Sequence, residues 1–252
     1  MDPRDVLTRP GSRPDAVLRY GDHAEHLLDV HLPADAPAPT VFLVHGGFWR
    51  QHFDRTHTRP LAEALAAEGW GVVTPEYRRT GGDGGRPQTF DDVAAAFAHL
   101  PLLEEVAPGR LHLDEVTLLG HSAGGHLAMW LALRPDRPRS PRVRKVVALA
   151  PVSDLHEAHA RDLGDGAVAA LMGGGPDDLP QAYASADPAR MLPGSDRRAP
   201  VTVLHGDRDD RVPVEMSRAL RGVEYVELAG VDHFAPVDPL SAAWPAVLAA
   251  LR

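Results

Sequence analysis

The sequence predicts an α/β fold in which helices flank a mainly parallel central sheet, with a small cap insertion. Short apolar runs alternate along the chain with segments whose apolar residues recur at helical spacing. Turns rich in glycine and proline separate these segments. Because strands that are joined through helices form right-handed crossovers, we expect most of the sheet to be parallel.

The individual elements follow from the apolar pattern, in chain order. Eight strands are predicted, at residues 17–20, 26–32, 40–44, 71–74, 116–119, 143–150, 201–205 and 225–228. A Gly21-Asp22 turn makes the first two a hairpin. The inner strands are continuously apolar, which is typical of strands covered on both faces. Five helices are predicted, at residues 60–68, 90–103, 125–133, 214–221 and 239–251.

Two stretches fall outside this alternation. Residues 1–16 are rich in Pro, Arg and Asp and predict a loosely held N-terminal arm. Between residues 151 and 200 the pattern gives way to Gly173-Gly174-Gly175-Pro176 and short helical pieces, which predicts a cap insertion that shapes the pocket. The length of 252 residues is that of one large domain over residues 1–252.

Composition narrows the possible partners. The net charge is −9, so the electrostatic field of the protein repels phosphate backbones and anionic membranes. Neither a nucleic acid nor a membrane is expected as a partner. No cysteine is present, which excludes disulfides and thiolate metal sites. The charged N-terminus precedes no apolar run, so we expect a cytoplasmic protein.

The motif with the strongest chemical meaning is Gly120-His121-Ser122-Ala123-Gly124. It fits G-x-S-x-G and lies between a predicted strand and a predicted helix, where a sharp turn exposes a nucleophilic serine. Ser122 is therefore the predicted nucleophile. The backbone N–H of Ala123 is expected to stabilise an oxyanion, and His121 is expected to lie at the substrate pocket.

A second motif, His45-Gly46-Gly47-Phe48-Trp49, follows an earlier predicted strand. Paired glycines leave backbone donors unobstructed, so Gly46, Gly47 and Phe48 are expected to form the other half of an oxyanion hole. We expect His45 to brace this loop and Trp49 to form an apolar wall of the pocket.

A serine nucleophile needs a base and an acid that orients it. His233 lies between the last predicted strand and the last predicted helix, in the Ser-acid-His order of such enzymes, and is the predicted base. The acid should lie in the loop after the preceding strand. Three carboxyl groups occur there, those of Asp207, Asp209 and Asp210, and their positions alone leave the choice among them open.

These motifs together resemble a known family. His-Gly-Gly-x-Trp, G-x-S-x-G, the loop from Gly206 to Pro213 and Asp232-His233-Phe234 are similar to the α/β-hydrolase group of arylformamidases (kynurenine formamidases), carbohydrate acetyl or feruloyl esterases and small bacterial carboxylesterases. The resemblance extends from about Leu27 to the C-terminus. It implies the α/β-hydrolase fold, and it implies that Asp209 is the acid.

Two other clusters of polar or glycine residues occur in the sequence. His156-Glu157-Ala158-His159, with Asp154 and Asp162, departs from the spacing of zinc sites, so we expect no metal and interpret it as a solvated face. The loop Gly81-Gly82-Asp83-Gly84-Gly85 lacks the lysine of a phosphate loop. We expect this loop to be flexible and to lie near the pocket mouth, where Arg78 and Arg79 would meet a polar or anionic substrate.

The expected function is a cofactor-free serine hydrolase that cleaves small carboxylic esters or aryl formamides through an acyl-enzyme. Its partner would be a small-molecule substrate. A peptidase similar to prolyl oligopeptidases is the alternative among enzymes. A non-catalytic binding protein on the same fold is the alternative of another class.

Overall fold

The computed structural model describes residues 4–137, 140–195 and 199–252, and its centre is a sheet of eight strands. These are β1 (Ala16–Arg19), β2 (Leu27–His31), β3 (Ala38–Val44), β4 (Gly71–Pro75), β5 (Leu111–His121), β6 (Arg142–Leu149), β7 (Val201–Gly206) and β8 (Glu224–Leu228). Their spatial order is β1-β2-β4-β3-β5-β6-β7-β8. β2 is antiparallel to both of its neighbours. The other six strands after it in the spatial order, β4, β3, β5, β6, β7 and β8, are parallel to one another. The predicted α/β class with a mainly parallel sheet is confirmed.

Helices lie on both faces of this sheet. They are α1 (Asp5–Thr8), α2 (Arg59–Ala67), α3 (Gln88–Ala98), α4 (Ala123–Leu133), α5 (Leu155–Ala160), α6 (Ala167–Met172), α7 (Pro180–Ala186), α8 (Pro188–Met191), α9 (Val214–Ala219) and α10 (Trp244–Leu251). Short 3-10 helices occur at Arg55–Thr58, Leu100–Glu105, Leu192–Gly194 and Ala235–Val237. Helices α1, α2 and α10 pack on one face and α3 to α8 on the other.

Alternation along each strand divides the core between the two faces. In β3, Val41 and Leu43 pack toward α2 and α10, whereas Phe42 and Val44 pack toward α3 and α4. All four side chains are buried, as expected because successive side chains of a strand point to opposite faces. A strand covered on both faces must be apolar throughout, and this explains the continuous runs in the sequence.

The last helix begins later than the sequence pattern predicts. It starts at Trp244 rather than at residue 239. The Asp238 carboxylate accepts a hydrogen bond from the Leu240 N–H at 2.9 Å, and the Ser241 hydroxyl donates to the Ala235 carbonyl at 2.6 Å. These side-chain bonds to the backbone hold a turn that competes with the helix.

The described part of the N-terminal segment, residues 4–16, is held against the sheet and its helices, unlike the loose arm that the composition predicts. Val6 is buried against the α2 face, and the Arg9 guanidinium binds the Asp238 carboxylate through two hydrogen bonds. One apolar side chain and one paired cation are enough to anchor so short a segment. Residues 1–3 of the predicted arm lie outside the described residues.

Helices α5 to α8 fall within the predicted cap insertion. They pack with one another and, through α8, against α4. Residues 196–198 of that stretch lie outside the described residues. The division into a single domain with a cap stays a prediction. Within the described parts of the chain, no helix has the length and apolar character needed to cross a bilayer.

Candidate active site

The predicted site residues come from four loops at the carboxyl ends of parallel strands. Ser122 follows β5, His45 to Trp49 follow β3, Asp209 follows β7 and His233 follows β8. Because parallel strands end at the same edge of the sheet, their loops converge there, although they are far apart in sequence.

Ser122 occupies a tight turn between β5 and α4. Its φ of 56° lies in the left-handed region, which a non-glycine residue adopts at a cost. A Cβ on Gly120 would lie 2.2 Å from the Gly124 oxygen, and one on Gly124 would lie 2.1 Å from the Val44 oxygen. The turn therefore requires glycine at both flanking positions of the motif.

The loop after β3 has three consecutive residues with positive φ. The values are 106° at Gly47, 50° at Phe48 and 55° at Trp49. A Cβ on Gly47 would lie 2.4 Å from the Phe53 Cβ, so no larger residue fits. In the part of the chain that the structure describes, the backbone N–H groups of Phe48 and Ala123 donate no hydrogen bond to the protein.

His45 anchors the base of this loop. Its Nδ1 lies 2.9 Å from the Gly46 oxygen, and its Nε2 lies 2.9 Å from Oε1 of the buried Glu76. Tyr77 stacks on the imidazole and donates its hydroxyl hydrogen to the His45 carbonyl at 2.8 Å. Because both ring nitrogens face oxygen atoms inside the protein, this imidazole is unavailable as a base, in agreement with the expected bracing role.

His233 and Asp209 form a buried pair. The His233 Nδ1 lies 2.6 Å from Asp209 Oδ2, and the Asp209 side chain is 0% exposed. Because a carboxylate only accepts, Nδ1 carries the hydrogen, and the neutral ring has its lone pair on Nε2. The structure thus brings together two residues 24 positions apart, in the tautomer that a general base requires.

Hydrogen bonds hold Asp209 in its charged form. Burial alone would raise the pKa of this carboxyl group, but hydrogen bonds from His205 and His233 and from the backbone N–H of Val212 outweigh it and hold the pKa well below the usual value. Within the described residues, neither alternative acid has such partners. Asp207 binds the Gly230 N–H, and Asp210 makes a loose ion pair with Arg211 at 3.5 Å.

Ser122 and His233 line the same cavity, of about 310 Å³. Its apolar wall consists of Leu7, Phe48, Phe53 and Phe234, and its other lining residues are Arg4, Gly47, His57, His121 and Arg211. Within the described residues no hydrogen bond joins the Ser122 hydroxyl to His233. Such contacts are often long in enzymes without substrate and tighten when substrate binds.

Two further histidines of the cavity are kept neutral. Burial and the nearby His233 lower the pKa of His121 well below its usual value, and its Nε2–H donates to the His233 carbonyl at 2.8 Å. Burial and the nearby His45 lower the pKa of His57 to about 4. A protonated His233 would therefore meet no second imidazolium among the described residues of the cavity.

Trp49 does not form the predicted pocket wall. It is fully buried in the core and lies edge-on to His126, with ring centroids 5.2 Å apart. The positive φ values of the loop turn this side chain inward and leave Phe48 at the cavity. His121, the other predicted pocket residue, does line the cavity.

The arginines expected at the pocket mouth are engaged elsewhere. Arg78 binds Asp92 through Nε at 2.8 Å and Nη2 at 2.6 Å, and Arg79 binds Glu25 and Glu76. Their expected role with a substrate is wrong, because buried carboxylates occupy both guanidinium groups. Sequence reasoning missed Arg4, Leu7, Phe53 and His57, for which no local motif exists.

The acidic cluster near α5 serves as helix caps. Ligand atoms of Asp154, His156 and Asp187 lie within 4.8 Å of one another. Asp154 accepts from the Glu157 N–H at 2.9 Å and caps α5, while Asp187 caps α8 and binds His156 Nδ1 at 2.7 Å. These protein partners explain the cluster without a ligand.

Comparison with known proteins places these features in a family. LipM of Mycobacterium tuberculosis, a probable carboxylic ester hydrolase, is 28% identical over 254 residues, which cover 87% of this chain and 56% of that protein. The kynurenine formamidase of Drosophila melanogaster is 30% identical over 160 residues, covering 61% of this chain and 50% of that protein. The chain thus spans about half the length of these relatives.

Solved structures show the same fold. Esterase B from Lactobacillus rhamnosis matches with a TM-score of 0.75 and 23% identity, over 99% of this chain and 87% of that chain. A truncated carbohydrate esterase from gut microbiota matches with a TM-score of 0.79 and 18% identity, over 96% of this chain and 95% of that chain. The profile of the BD-FAE family matches residues 28–223, which is most of the chain. The chain therefore belongs to the BD-FAE family, within the α/β-hydrolase superfamily.

Proposed function

We propose that this chain hydrolyses small carboxylic esters or aryl formamides through an acyl-enzyme intermediate. The observation that carries the proposal is the hydrogen bond of 2.6 Å between His233 Nδ1 and Asp209, which puts the lone pair of the neutral ring on Nε2, in a residue that lines the same cavity as Ser122. The names of the relatives, an ester hydrolase and a formamidase, support the same reaction class.

The first half of the reaction forms the acyl-enzyme. The Ser122 Oγ attacks the carbonyl carbon of the substrate while His233 Nε2 takes the hydroxyl proton. The resulting imidazolium is stabilised by the Asp209 carboxylate. The tetrahedral intermediate then collapses, and the leaving alcohol or amine departs with the proton that His233 returns.

The second half releases the acid. Water attacks the Ser122 ester, His233 accepts a proton from that water, and collapse regenerates the serine hydroxyl and a carboxylic acid, or formate from a formamide. No electron transfer and no metal-bound nucleophile takes part in these steps. The absence of a cofactor and the cytoplasmic location stay predictions from the sequence.

Backbone N–H groups would stabilise the two oxyanions. The candidates are those of Gly46, Gly47, Phe48 and Ala123, of which Phe48 and Ala123 have no protein acceptor among the described residues. Each such donor contributes roughly 3 kcal/mol to the transition state in hydrolases of this type. The strained loop of Gly47 and Phe48 is a further sign of function, because such strain concentrates at active sites.

The test combines labelling with turnover. A fluorophosphonate should label the wild-type protein and the Ser12→Ala control but leave Ser122→Ala unlabelled, since Ser12 is exposed and lies outside the cavity. The wild type should hydrolyse p-nitrophenyl acetate and N-formyl aryl amides. Absence of labelling and turnover would favour a binding protein, and cleavage of peptides alone would favour a peptidase.

A further inference from the structure

The charged lining of the Ser122 cavity differs in sign from the rest of the protein. The whole chain has a net charge of −9. The cavity is nevertheless lined by two arginines, Arg4 and Arg211, and none of its described lining residues is Asp or Glu. A cationic cavity in an acidic protein indicates a preference for anionic ligands.

Arg211 is held only loosely by its described protein partners. Other arginines of the fold bind carboxylates closely, as Arg55 does with Asp29 at 2.8 Å and Arg78 with Asp92 at 2.6 Å. Among the described residues, the Arg211 side chain makes no hydrogen bond. Its one ion pair, with Asp210, is 3.5 Å long, and the Asp210 side chain is 71% exposed. A pair this long and solvated holds a guanidinium weakly.

Other carboxyl groups close to Arg211 do not neutralise it. Asp207, Asp209, Asp210 and Glu215 line a second cavity, of about 280 Å³, to which Arg211 also contributes. The buried Asp209 carboxylate already accepts hydrogen bonds from His205, His233 and two backbone N–H groups. Asp207, Asp210 and Glu215 are exposed, so water and salt screen their charges. The Arg211 guanidinium therefore stays available to a ligand in the Ser122 cavity.

Arg4 is presented to the cavity by the N-terminal segment. It precedes α1, whose Leu7 lines the same cavity and whose Val6 is buried. The Arg9 guanidinium immediately after α1 binds both oxygens of Asp238, with one bond of 2.9 Å. These contacts hold the backbone of the segment that carries Arg4, and a backbone that is already ordered lowers the entropic cost of binding.

The remaining lining is apolar and the cavity is small. Leu7, Phe48, Phe53 and Phe234 form a wall suited to an aromatic or short aliphatic body. A volume of about 310 Å³ is at the lower end of the range of small-molecule sites. The ligand class that fits is a small molecule with an apolar body and one anionic end.

We propose that the favoured substrates are small esters or formamides carrying a free carboxylate, which Arg4 and Arg211 bind while Ser122 attacks the neutral ester or formamide carbonyl. This proposal rests on the hydrolase function proposed above. The planar guanidinium matches a carboxylate through two parallel N–H···O bonds, so recognition depends on geometry as well as charge.

The test compares two substrates that have nearly the same shape and differ chiefly in charge. The ratio of kcat/KM for 4-acetoxybenzoate to that for the neutral 4-acetoxybenzamide is measured in the wild type, in Arg211→Gln and in Arg4→Gln/Arg211→Gln. We expect a ratio of about ten or more in the wild type, arising mainly from KM. The ratio should fall about threefold in Arg211→Gln and approach one in the double variant. Raising the salt concentration should also lower the wild-type ratio.

Matched variants separate charge from folding. Arg208→Gln removes an exposed guanidinium of the same loop that does not line the cavity, and it should keep the wild-type ratio. Arg211→Lys keeps the charge but not the planar fork and should retain part of the preference. Because the ratio is taken within one protein sample, a partly unfolded variant does not distort it.

The outcomes distinguish this inference from the function on which it rests. Cleavage of both substrates at equal rates by the wild type, or an unchanged ratio in the double variant, would overturn the carboxylate subsite and leave the hydrolase intact. Failure of the wild type to cleave either substrate, together with no fluorophosphonate labelling, would overturn both.

Discussion

Replacing Asp209 with asparagine tests the assignment of the acid with nearly no change of shape. The carboxylate accepts four hydrogen bonds, from His233 Nδ1 at 2.6 Å, His205 Nε2 at 3.0 Å and the N–H groups of Arg211 and Val212, each at 2.8 Å. Because His205 Nε2 also lies 3.0 Å from the Val212 carbonyl, it must carry a hydrogen. Both imidazoles therefore donate to the same carboxylate oxygen.

An asparagine can satisfy only half of this arrangement. Its oxygen can still accept from the two backbone N–H groups, but its NH₂ group then faces two donating ring nitrogens. His233 relieves the conflict by moving its hydrogen from Nδ1 to Nε2, and the nitrogen in the cavity loses the lone pair that would take the Ser122 proton. In a triad of this kind, the same change lowers kcat by roughly 10⁴. That corresponds to about 5.5 kcal/mol at roughly 1.36 kcal/mol per tenfold change in rate.

The assay is kcat/KM for p-nitrophenyl acetate, with a melting curve to establish that each variant is folded. Asp207→Asn and Asp210→Asn are the matched controls, since both carboxylates are exposed and neither contacts His233. Each should keep activity within about threefold of wild type, as is usual for surface substitutions. The reasoning is wrong if folded Asp209→Asn keeps more than a tenth of the activity while one of the controls loses it.

Three further predictions concern the loop after β3 and the response to acid. Gly47→Ala should lower kcat/KM by roughly 10² or more, because the new Cβ would lie 2.4 Å from the Phe53 Cβ and the loop would have to move, together with the proposed oxyanion donors. Near-normal turnover of p-nitrophenyl acetate would contradict this. Trp49→Phe should lower the free energy of unfolding by about 1–3 kcal/mol with little change in KM, since Trp49 belongs to the core. A changed KM at unchanged stability would instead indicate that Trp49 contacts the substrate. The pKa of Asp209 is lower in the folded than in the unfolded chain, so its stabilising contribution is complete above its ordinary value of 3.8 and is lost as the pH falls below it. Urea unfolding at pH 5, 4 and 3 should therefore show a steeper loss of stability in the wild type than in Asp209→Asn, and equal slopes would refute the lowered pKa.

The elements that were predicted correctly are those whose structure is set by residues close in the sequence or by a regular apolar pattern. Gly120 and Gly124 allow the turn at Ser122 because the atoms that a Cβ would meet lie within a few residues or on the adjacent strand. The buried strands are recognisable because side chains on both faces must be apolar. Element boundaries are harder to predict, because side-chain hydrogen bonds to the backbone can replace the first turn of a helix. At Asp238 such a bond holds a turn, and α10 begins later than predicted.

Residue spacing alone did not select the acid, because three carboxyl groups within four residues satisfy the same argument. The family resemblance implied Asp209, and the fold supplies the physical reason, since Asp209 is the one of the three that contacts both His205 and His233. The burial of the Trp49 side chain in the core could not be predicted either, because the sequence does not reveal three successive positive φ values.

The sequence by itself determined the fold class and the turn that presents Ser122, because each is set by periodicity or by residues close in the chain. Only the tertiary structure decided which residues form the cavity. Leu7, Phe53 and Arg211 come from segments far apart in sequence, and only the packing of α1 and the loops at the sheet edge brings them together. Long-range packing leaves no local pattern in the sequence, and for this reason the cationic lining of the cavity became visible only in three dimensions.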